Sequence, residues 1–278
     1  MCRWMAYSGD AVPMSRLIFE TEHSLIDQSL SARTSEQTTN GDGFGVGWYD
    51  RLDVPGVYRH LSPAWNDPNL RDLCQHIESP LFLAHVRAAT STPVQQTNCH
   101  PFRHGNWLFV HNGVISGFEQ LRRDMAMAID PSLFNSVLGS TDSELMFYLA
   151  VTFGLADAPY EAVAGMVGFI EQLAISKGIA KPVQMTLGIA DGDTLYAVRY
   201  SSERDSRTLY YSASVAALRE LVAPEHHGEI DAFGPDAISI VSEPFHSLEG
   251  AWHPVPESTF LTVRQGEVSL REFVPACP

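Results

Sequence analysis

Alternating or short apolar runs occur in two separate parts of the chain, and both patterns predict β-strands. One part lies before residue 111 and the other after residue 182. Gly9 and Pro13 mark a break that ends the first predicted strand. Turn signals at 191–193 and 265–266 predict two hairpins in the second part. The predicted strands cover 2–8, 44–49, 81–86, 107–110, 183–190, 194–200, 208–212, 238–242, 259–264 and 267–273.

Helical spacing of apolar residues, together with capping signals, predicts five helices. Asp67 and Pro68 have the character of an N-cap and a first helical residue. The Ser/Thr-x-x-Glu spacing at 116–119 and 141–144 is that of a capping box. Cys74 belongs to the apolar stripe of the second helix, which favours a core position. The predicted helices cover 23–32, 67–77, 116–129, 141–153 and 159–176.

The order of these elements indicates the fold class. Strands come first, then helices, then strands again, and this is not the βαβα alternation of a parallel Rossmann-type sheet. An α+β fold of two mainly antiparallel sheets covered by helices fits the order better. We find no internal repeat and no linker, so residues 1–278 are expected to form a single domain.

One predicted strand has an unusual face. The run at 44–49 follows a strong turn signal at 40–43, and its residues alternate between large and bare positions. Phe44, Val46 and Trp48 share one face, whereas Gly45 and Gly47 share the other. A bare glycine face indicates either close approach of a ligand or crowding between two sheets. The sequence favours neither interpretation.

Composition narrows the classes of function. The net charge of −15 repels phosphate backbones, so nucleic-acid binding is not expected. No apolar stretch resembles a signal peptide or a membrane span, and no membrane partner is expected. The four cysteines lack C-x-x-C spacing, which favours a reducing compartment and a cytoplasmic location. The eleven histidines show no H-E-x-x-H pattern, so we expect no metal and no cofactor.

The beginning of the chain carries the candidate chemistry. Cys2 follows the initiator Met1, and a second residue as small as Cys permits removal of Met1. Cys2 would then carry a thiol and a free α-amine, with unperturbed pKa values of about 8.5 and about 7.7–8.0. Activation of a nucleophile by an N-terminal amine is an established catalytic arrangement. The alternative is a buried strand cysteine that behaves as a small hydrophobe.

Four stretches taken together resemble the glutaminase domain of the class II glutamine amidotransferases, which are N-terminal-nucleophile hydrolases. Each is a weak signal alone, but they occur in the family's order with the cysteine at position 2. Within the family, the chain is most similar to small stand-alone members, including γ-glutamyl hydrolases of ergothioneine biosynthesis and glutathione turnover; the runs at 40–45 and 98–102 also fit that subgroup. The four stretches are Cys-Arg-Trp at 2–4, Ala-His-Val-Arg-Ala-Ala-Thr at 84–90, His-Asn-Gly at 111–113 and Thr-Asp-Ser-Glu at 141–144.

The resemblance implies a four-layer αββα sandwich and a role for each of five residues. Cys2 would attack the γ-carbonyl carbon, with its own α-amine as the base. The Asn112 side-chain amide and the Gly113 backbone N–H would form the oxyanion hole. Arg87 would bind the substrate α-carboxylate and Asp142 the α-ammonium.

Each of these roles has a simpler alternative. Asn112 and Gly113 could form a type I′ turn after a strand. Arg87 could be a solvated arginine at a strand end, and Asp142 could serve only the dipole of its helix. For Asp142 both readings can hold at once.

Other residues are expected to lie near the site. We expect His100 and His111 to be structural or to support the residues that contact substrate. Trp4, Trp48 and the 88–106 loop are candidates for contact with the leaving group.

The predicted activity is hydrolysis of the γ-amide of glutamine, or of a γ-glutamyl conjugate, through a γ-glutamyl thioester. Residues 183–278 are expected to complete the sandwich, which leaves no room for a synthase domain. Released ammonia would therefore pass to a separate protein, or the enzyme would be a γ-glutamyl amide hydrolase without ammonia transfer. Two alternatives from other classes are a non-catalytic regulatory or binding subunit that retains the fold, and a metal-dependent amidohydrolase.

Overall fold

Two antiparallel sheets stacked face to face form the centre of this computed structural model, which describes residues 2–33, 39–89 and 92–277. The strands of the first sheet are β1 (Arg3–Pro13), β2 (Phe44–Trp48), β3 (Gly56–His60), β4 (Glu78–Val86), β9 (Tyr210–Ser212), β10 (Ile238–Val241) and β11 (Trp252–Pro254). Those of the second are β5 (Phe102–His104), β6 (Trp107–Ile115), β7 (Val183–Ala190), β8 (Leu195–Ser201), β12 (Thr259–Arg264) and β13 (Glu267–Glu272). The strand order is β11-β9-β10-β1-β4-β2-β3 in the first sheet and β13-β12-β8-β7-β6-β5 in the second.

Helices cover the outer face of each sheet, so the structure has four layers. Helices between β1 and β2, before β4 and after β9 pack on the first sheet, and helices between β6 and β7 pack on the second. A third apolar cluster fills the space between the sheets. This αββα arrangement confirms the predicted fold class. The helices are α1 (Ser15–Ile18), α2 (Leu25–Leu30), α3 (Pro68–His76), α4 (Phe118–Met127), α5 (Asp142–Thr152), α6 (Pro159–Ser176), α7 (Val215–Leu221) and α8 (His227–Asp231).

Several local predictions are confirmed because a local signal was sufficient to specify them. The Asp67 side chain accepts a hydrogen bond from the Leu70 N–H at 2.8 Å and caps α3. Cys74 is fully buried in the core beneath that helix. Helix α6 begins at Pro159 and ends at Ser176, as predicted. The strands after residue 182 enter both sheets beside strands of the first part.

Three local predictions are wrong. The expected break at 9–13 is only a shift of pairing register between Ser8 and Val12, and β1 continues to Pro13. Ser116 does not cap α4, because Gly117, with φ of 69°, occupies the N-cap position. Strand β6 does not end before residue 111 but continues through Ile115. The first two errors arise because an isolated turn or capping signal does not reveal the partner strand or the backbone path.

Only one of the two hydrogen bonds of the predicted capping box at 141–144 forms. Thr141 accepts from the Glu144 N–H at 3.2 Å, as predicted. The Glu144 carboxylate turns away from the cap and accepts from the N–H groups of Leu138 and Gly139. The loop before α5 is therefore tied to the helix by the carboxylate.

The bare glycine face of β2 is explained by crowding. A Cβ atom at Gly45 would overlap the carbonyl oxygen of His100, and one at Gly47 would press on the Leu108 side chain of the opposite sheet. These close approaches bring β2 against the loop and strand that face it. Within the described ranges, none of the helices combines the length and the apolar character needed to cross a membrane.

This crowding generates a stability prediction. We expect Gly45→Ala to lower the free energy of unfolding by about 1–3 kcal/mol, because the added methyl group must displace the His100 backbone. Gly228→Ala, in α8 with open space around it, should leave the free energy unchanged or raise it by up to about 1 kcal/mol. Urea unfolding of both variants checks the prediction, and equal effects would contradict it.

Candidate active site

Cys2 lies at the entrance to the space between the sheets. It directly precedes β1, in which Trp4 and Ala6 face the intersheet cluster, and the alternation of a strand directs Cys2 to the same side. The Ala88 N–H donates to the Cys2 Sγ at 3.5 Å, and the Sγ lies 3.7 Å from the Ala88 carbonyl oxygen. The thiol is therefore held against the residue that follows Arg87.

Opposing influences act on the Cys2 thiol. Burial raises its pKa, whereas the hydrogen bond from Ala88 and the positive charge of Arg87 act to lower it. The negative charge of Asp142 acts in the same direction as burial. Arg87 and Asp142 are thus both close enough to Cys2 to influence its ionisation.

Trp4 anchors this end of β1 to the opposite sheet. Its side chain is fully buried, and its indole Nε1 donates to Thr186 Oγ1 on β7 at 3.0 Å. The Thr186 hydroxyl in turn donates to the Asn112 carbonyl oxygen at 3.4 Å. Trp4 therefore fixes the position of Cys2 relative to β6.

Arg87 immediately follows β4 and is only 4% exposed, so the solvated interpretation is wrong. Its Nη2 donates to Thr92 Oγ1 at 2.7 Å and to the Pro93 carbonyl oxygen at 3.3 Å. The turn at 40–43 holds the backbone of the same residue, since the Arg87 N–H donates to the Gly43 carbonyl at 2.8 Å. The Asp42 carboxylate also accepts a hydrogen bond from the Ala89 N–H at 2.8 Å, and so holds the backbone two residues after Arg87. Thr90 lies outside the described residues.

Asn112 and Gly113 lie within β6, so the turn interpretation is wrong. They pair with Thr186 and Met185 of β7. Asn112 shares its strand face with Leu108 and Val110 of the intersheet cluster and thus faces the first sheet. Within the described part of the chain, no group forms a hydrogen bond to the Asn112 side chain, which leaves its amide available. A Cβ at Gly113 would overlap the β7 backbone, so only glycine fits there.

Asp142 is the first residue of α5 and connects that helix to β6. One carboxylate oxygen accepts from the Ile115 N–H at 3.0 Å, and the other accepts from the Ser143 N–H at 2.8 Å. These bonds hold the Asp142 carboxylate against Ile115, which lies two residues after Gly113 on β6. The helix N-terminal interpretation therefore holds, and the remaining lone pairs of the carboxylate can accept from an ammonium group.

Three histidines lie behind the site. The His111 Nδ1 is 2.8 Å from Ser143 Oγ, on the opposite face of β6 from Asn112. The His85 Nε2 donates to the His111 carbonyl oxygen at 3.2 Å across the sheets. The His100 ring packs against the His85 ring with centroids 4.2 Å apart and planes tilted by 33°. Burial lowers the pKa of His85 to about 3 and that of His100 well below its usual value. Burial also lowers the pKa of His111, against the opposing influence of Asp142.

A cavity of about 480 Å³ is lined by residues that contact Arg87 and Asp142, although neither of these two residues lines it. Its lining includes Thr92 and Pro93, which hold Arg87, and Ile115, whose N–H holds Asp142. This volume is within the usual range for small-molecule sites. Among the described residues, no group of three or more His, Cys, Asp or Glu side chains is arranged to hold a metal ion.

Sequence reasoning assigned no individual role to Ala88, Asp42, Thr186 or His85. Ala88, Asp42 and His85 occur in runs that the resemblance had singled out. Alternation along β4 places His85 on the intersheet face with Leu81 and Leu83, and this pattern was the available signal. Nothing in the sequence indicates the contact of Thr186 with Trp4, because these residues lie in different sheets and far apart in the chain.

Known proteins with related sequences indicate the family of the chain. Residues 14–276 match the family model described as "Glutamine amidotransferases class-II", a range that contains Arg87, Asn112, Gly113 and Asp142 and begins after Cys2. Probable glutamine amidotransferase DUG3 of Saccharomyces cerevisiae is 29% identical over 99% of this chain and 85% of its own length. The γ-glutamyl-hercynylcysteine sulfoxide hydrolase of Mycolicibacterium smegmatis is 25% identical over 96% of this chain and 98% of its own.

Solved structures give the same result. A glutamine aminotransferase class-II domain protein from Silicibacter pomeroyi superposes with a TM-score of 0.75 at 33% identity, covering 99% of this chain and 100% of that one. The glutamine phosphoribosylpyrophosphate amidotransferase of B. subtilis has a TM-score of 0.66 at 12% identity, over 100% of this chain and 50% of that one, and shows only that the fold is shared. Because the family model covers nearly the whole chain, the protein belongs to the class-II glutamine amidotransferases and is, as the sequence predicts, an enzyme of the amidohydrolase type.

Proposed function

We propose that the protein hydrolyses the γ-amide of glutamine or of a γ-glutamyl compound through a thioester on Cys2. The observation that carries the proposal is the Cys2 thiol held by the Ala88 N–H, within electrostatic reach of Arg87. Asn112, whose amide is available, lies on the other sheet on the face toward the first, and the Trp4–Thr186 hydrogen bond beside it joins β1 to that sheet. Asp142 is close enough to affect the thiol electrostatically.

The first step requires a free Cys2 amine. Removal of Met1, which lies outside the described residues, would expose it. The Cys2 Sγ then attacks the γ-carbonyl carbon while the amine, directly or through a water, accepts the thiol proton. The carbonyl oxygen becomes an oxyanion that the Asn112 amide and the Gly113 N–H stabilise.

Collapse of that intermediate breaks the C–N bond. The proton held by the Cys2 amine passes to the leaving nitrogen, which departs as ammonia or as an amine. A water molecule then attacks the thioester carbonyl carbon and gives one proton to the Cys2 amine. The carbon–sulfur bond breaks, glutamate is released, and the amine returns the proton to the sulfur. Throughout, Arg87 binds the α-carboxylate and Asp142 the α-ammonium of the substrate. For Arg87 to do so, substrate must replace part of its contact with Thr92 and Pro93.

The leaving group distinguishes two versions of the proposal. Glutamine and a γ-glutamyl conjugate present the same α-carboxylate and α-ammonium, so Arg87 and Asp142 fit both. The near full-length similarity to a γ-glutamyl-hercynylcysteine sulfoxide hydrolase supports the conjugate. With glutamine, ammonia would be released or passed to a separate protein.

Two further aspects belong to the proposal. Strands from both parts of the chain share both sheets, which supports a single glutaminase-type domain. The four cysteines are unpaired, which supports a reducing compartment such as the cytoplasm.

The nucleophile is tested by Cys2→Ala. Hydrolysis of glutamine and of a γ-glutamyl thiol conjugate, assayed side by side by glutamate release, should fall at least about 10³-fold because no thioester can form. Cys277→Ala, which changes an exposed cysteine, is the matched control and should retain full activity. A glutamine-analogue diazoketone should label Cys2 in the mature wild type. Absence of labelling would favour a non-catalytic binding subunit.

The oxyanion hole is tested by Asn112→Ala. We expect kcat to fall about 10²–10³-fold with little change in KM, because this amide contacts the oxygen mainly in the transition state. Asn106→Ala removes an exposed asparagine whose side chain bonds the Asp191 carbonyl, and it should leave kcat unchanged. A proportional rise in KM would instead indicate a ground-state binding role.

Recognition of the substrate α-ammonium is tested by comparing glutamine with an analogue that lacks this group. Wild-type protein should prefer glutamine over glutaramate, which lacks the α-amino group, by at least about tenfold in kcat/KM, because Asp142 binds that group. In Asp142→Asn the preference should largely disappear, since the neutral amide attracts the ammonium weakly. An undiminished preference in this variant would assign the ammonium to another group.

A further inference from the structure

A buried acid from the second part of the chain lies behind the first residues of β1. Glu243 follows β10, and its side chain is 3% exposed. Its Oε2 accepts from the Arg3 Nε at 3.1 Å, across 240 positions of sequence. The Arg3 side chain is likewise 3% exposed. Neither residue takes part in the proposed catalysis.

The other side of Glu243 is held by the segment around α2. Its Oε1 lies 2.7 Å from the His23 Nε2 and accepts from the Arg33 N–H at 2.9 Å. The Gln28 side chain donates to the Glu243 carbonyl oxygen at 3.1 Å. The carboxylate therefore has contacts on both oxygens and a fixed orientation.

Arg3 connects this carboxylate to the nucleophile. While its Nε bonds Glu243, its Nη1 donates to the Cys2 carbonyl oxygen at 3.0 Å. The neighbouring Ser242 exchanges hydrogen bonds with the Trp4 backbone, at 3.0 and 3.1 Å. Ser242 thus fixes the Trp4 carbonyl directly, and Glu243 fixes the Cys2 carbonyl through Arg3.

The fixed carbonyl matters because of the role proposed for Cys2. Once Cys2 is the first residue, no preceding peptide group orients it. Its direction then depends on the hydrogen bonds to its carbonyl and to its thiol. A buried ion pair seldom increases stability relative to apolar residues, so stability alone does not account for Arg3 and Glu243. The guanidinium fork can bind a carboxylate and a carbonyl at once in a rigid geometry.

We propose that Glu243 is a positioning residue that acts through Arg3 to fix the carbonyl of Cys2 and thereby the direction of the nucleophile. The inference rests on the proposed function of Cys2. The chain after residue 182 then helps to orient the nucleophile through Glu243. It supplies none of the five residues proposed to contact the substrate.

The test compares Glu243→Gln and Arg3→Lys with wild type. Glutamine keeps the shape of the side chain but not its charge, and lysine keeps the charge but cannot bond both acceptors in the same geometry. We expect kcat to fall about 10–100-fold with KM within about twofold, because a displacement of about 1 Å has an effect of this size. The maximal rate of Cys2 labelling by the diazoketone should fall in the same proportion.

The control is Glu257→Gln, which disrupts the half-buried ion pair of Arg199 and Glu257 near the second sheet. It should behave as wild type in both assays. Circular dichroism and thermal melting establish whether each variant is folded. If Glu243→Gln does not fold, Arg3→Lys decides the test.

Folded variants with wild-type kcat would overturn the inference, as would a rise in KM at constant kcat or an equal loss in Glu257→Gln. If wild-type protein is labelled at Cys2 and the variants are labelled at the same rate, only this inference fails. If wild-type protein is not labelled, the proposed function fails and this inference fails with it.

Discussion

The packing of the two sheets against each other is the constraint on which the candidate site depends. Cys2 and Arg87 directly adjoin strands of the first sheet, whereas Asn112 and Gly113 belong to a strand of the second. The groups face one another only if the sheets meet in a single relative position. Apolar packing alone is nondirectional and would tolerate sliding. Directional bonds between the sheets are therefore needed.

Three buried hydrogen-bonding side chains supply those bonds, and each crosses the intersheet space. Trp4 donates to Thr186, His85 donates to the His111 carbonyl, and the Tyr49 hydroxyl donates to the Ala190 carbonyl at 2.7 Å. Unsatisfied polar groups in this space would be costly, so these contacts favour one alignment over its neighbours. The first two end on or beside the strand that carries Asn112, so they fix the alignment close to the site.

The charge distribution around Cys2 is also organised by burial. Burial lowers the pKa of His85 to about 3, which keeps that imidazole neutral beside the site at neutral pH. Two charged side chains that influence the thiol are Arg87 and Asp142, one of each sign. This distribution suits an amino-acid head group, which carries the complementary pair of charges. A His85 imidazole with so low a pKa is a poor proton acceptor at neutral pH, which is compatible with the proposed use of the Cys2 amine.

The sequence by itself determined the fold class, the bounds of α6, the cap at Asp67, the β7–β8 hairpin and, through the resemblance, the family. These features follow from short-range patterns of side chains, which local physical chemistry specifies. Only the tertiary structure decided that Asn112 and Gly113 continue a strand, because β7 supplies the pairing that makes a turn unnecessary. Only the tertiary structure, likewise, brought Glu243 to Arg3 and Thr186 to Trp4. Contacts between distant residues depend on how whole sheets are ordered and aligned, and no local pattern encodes that.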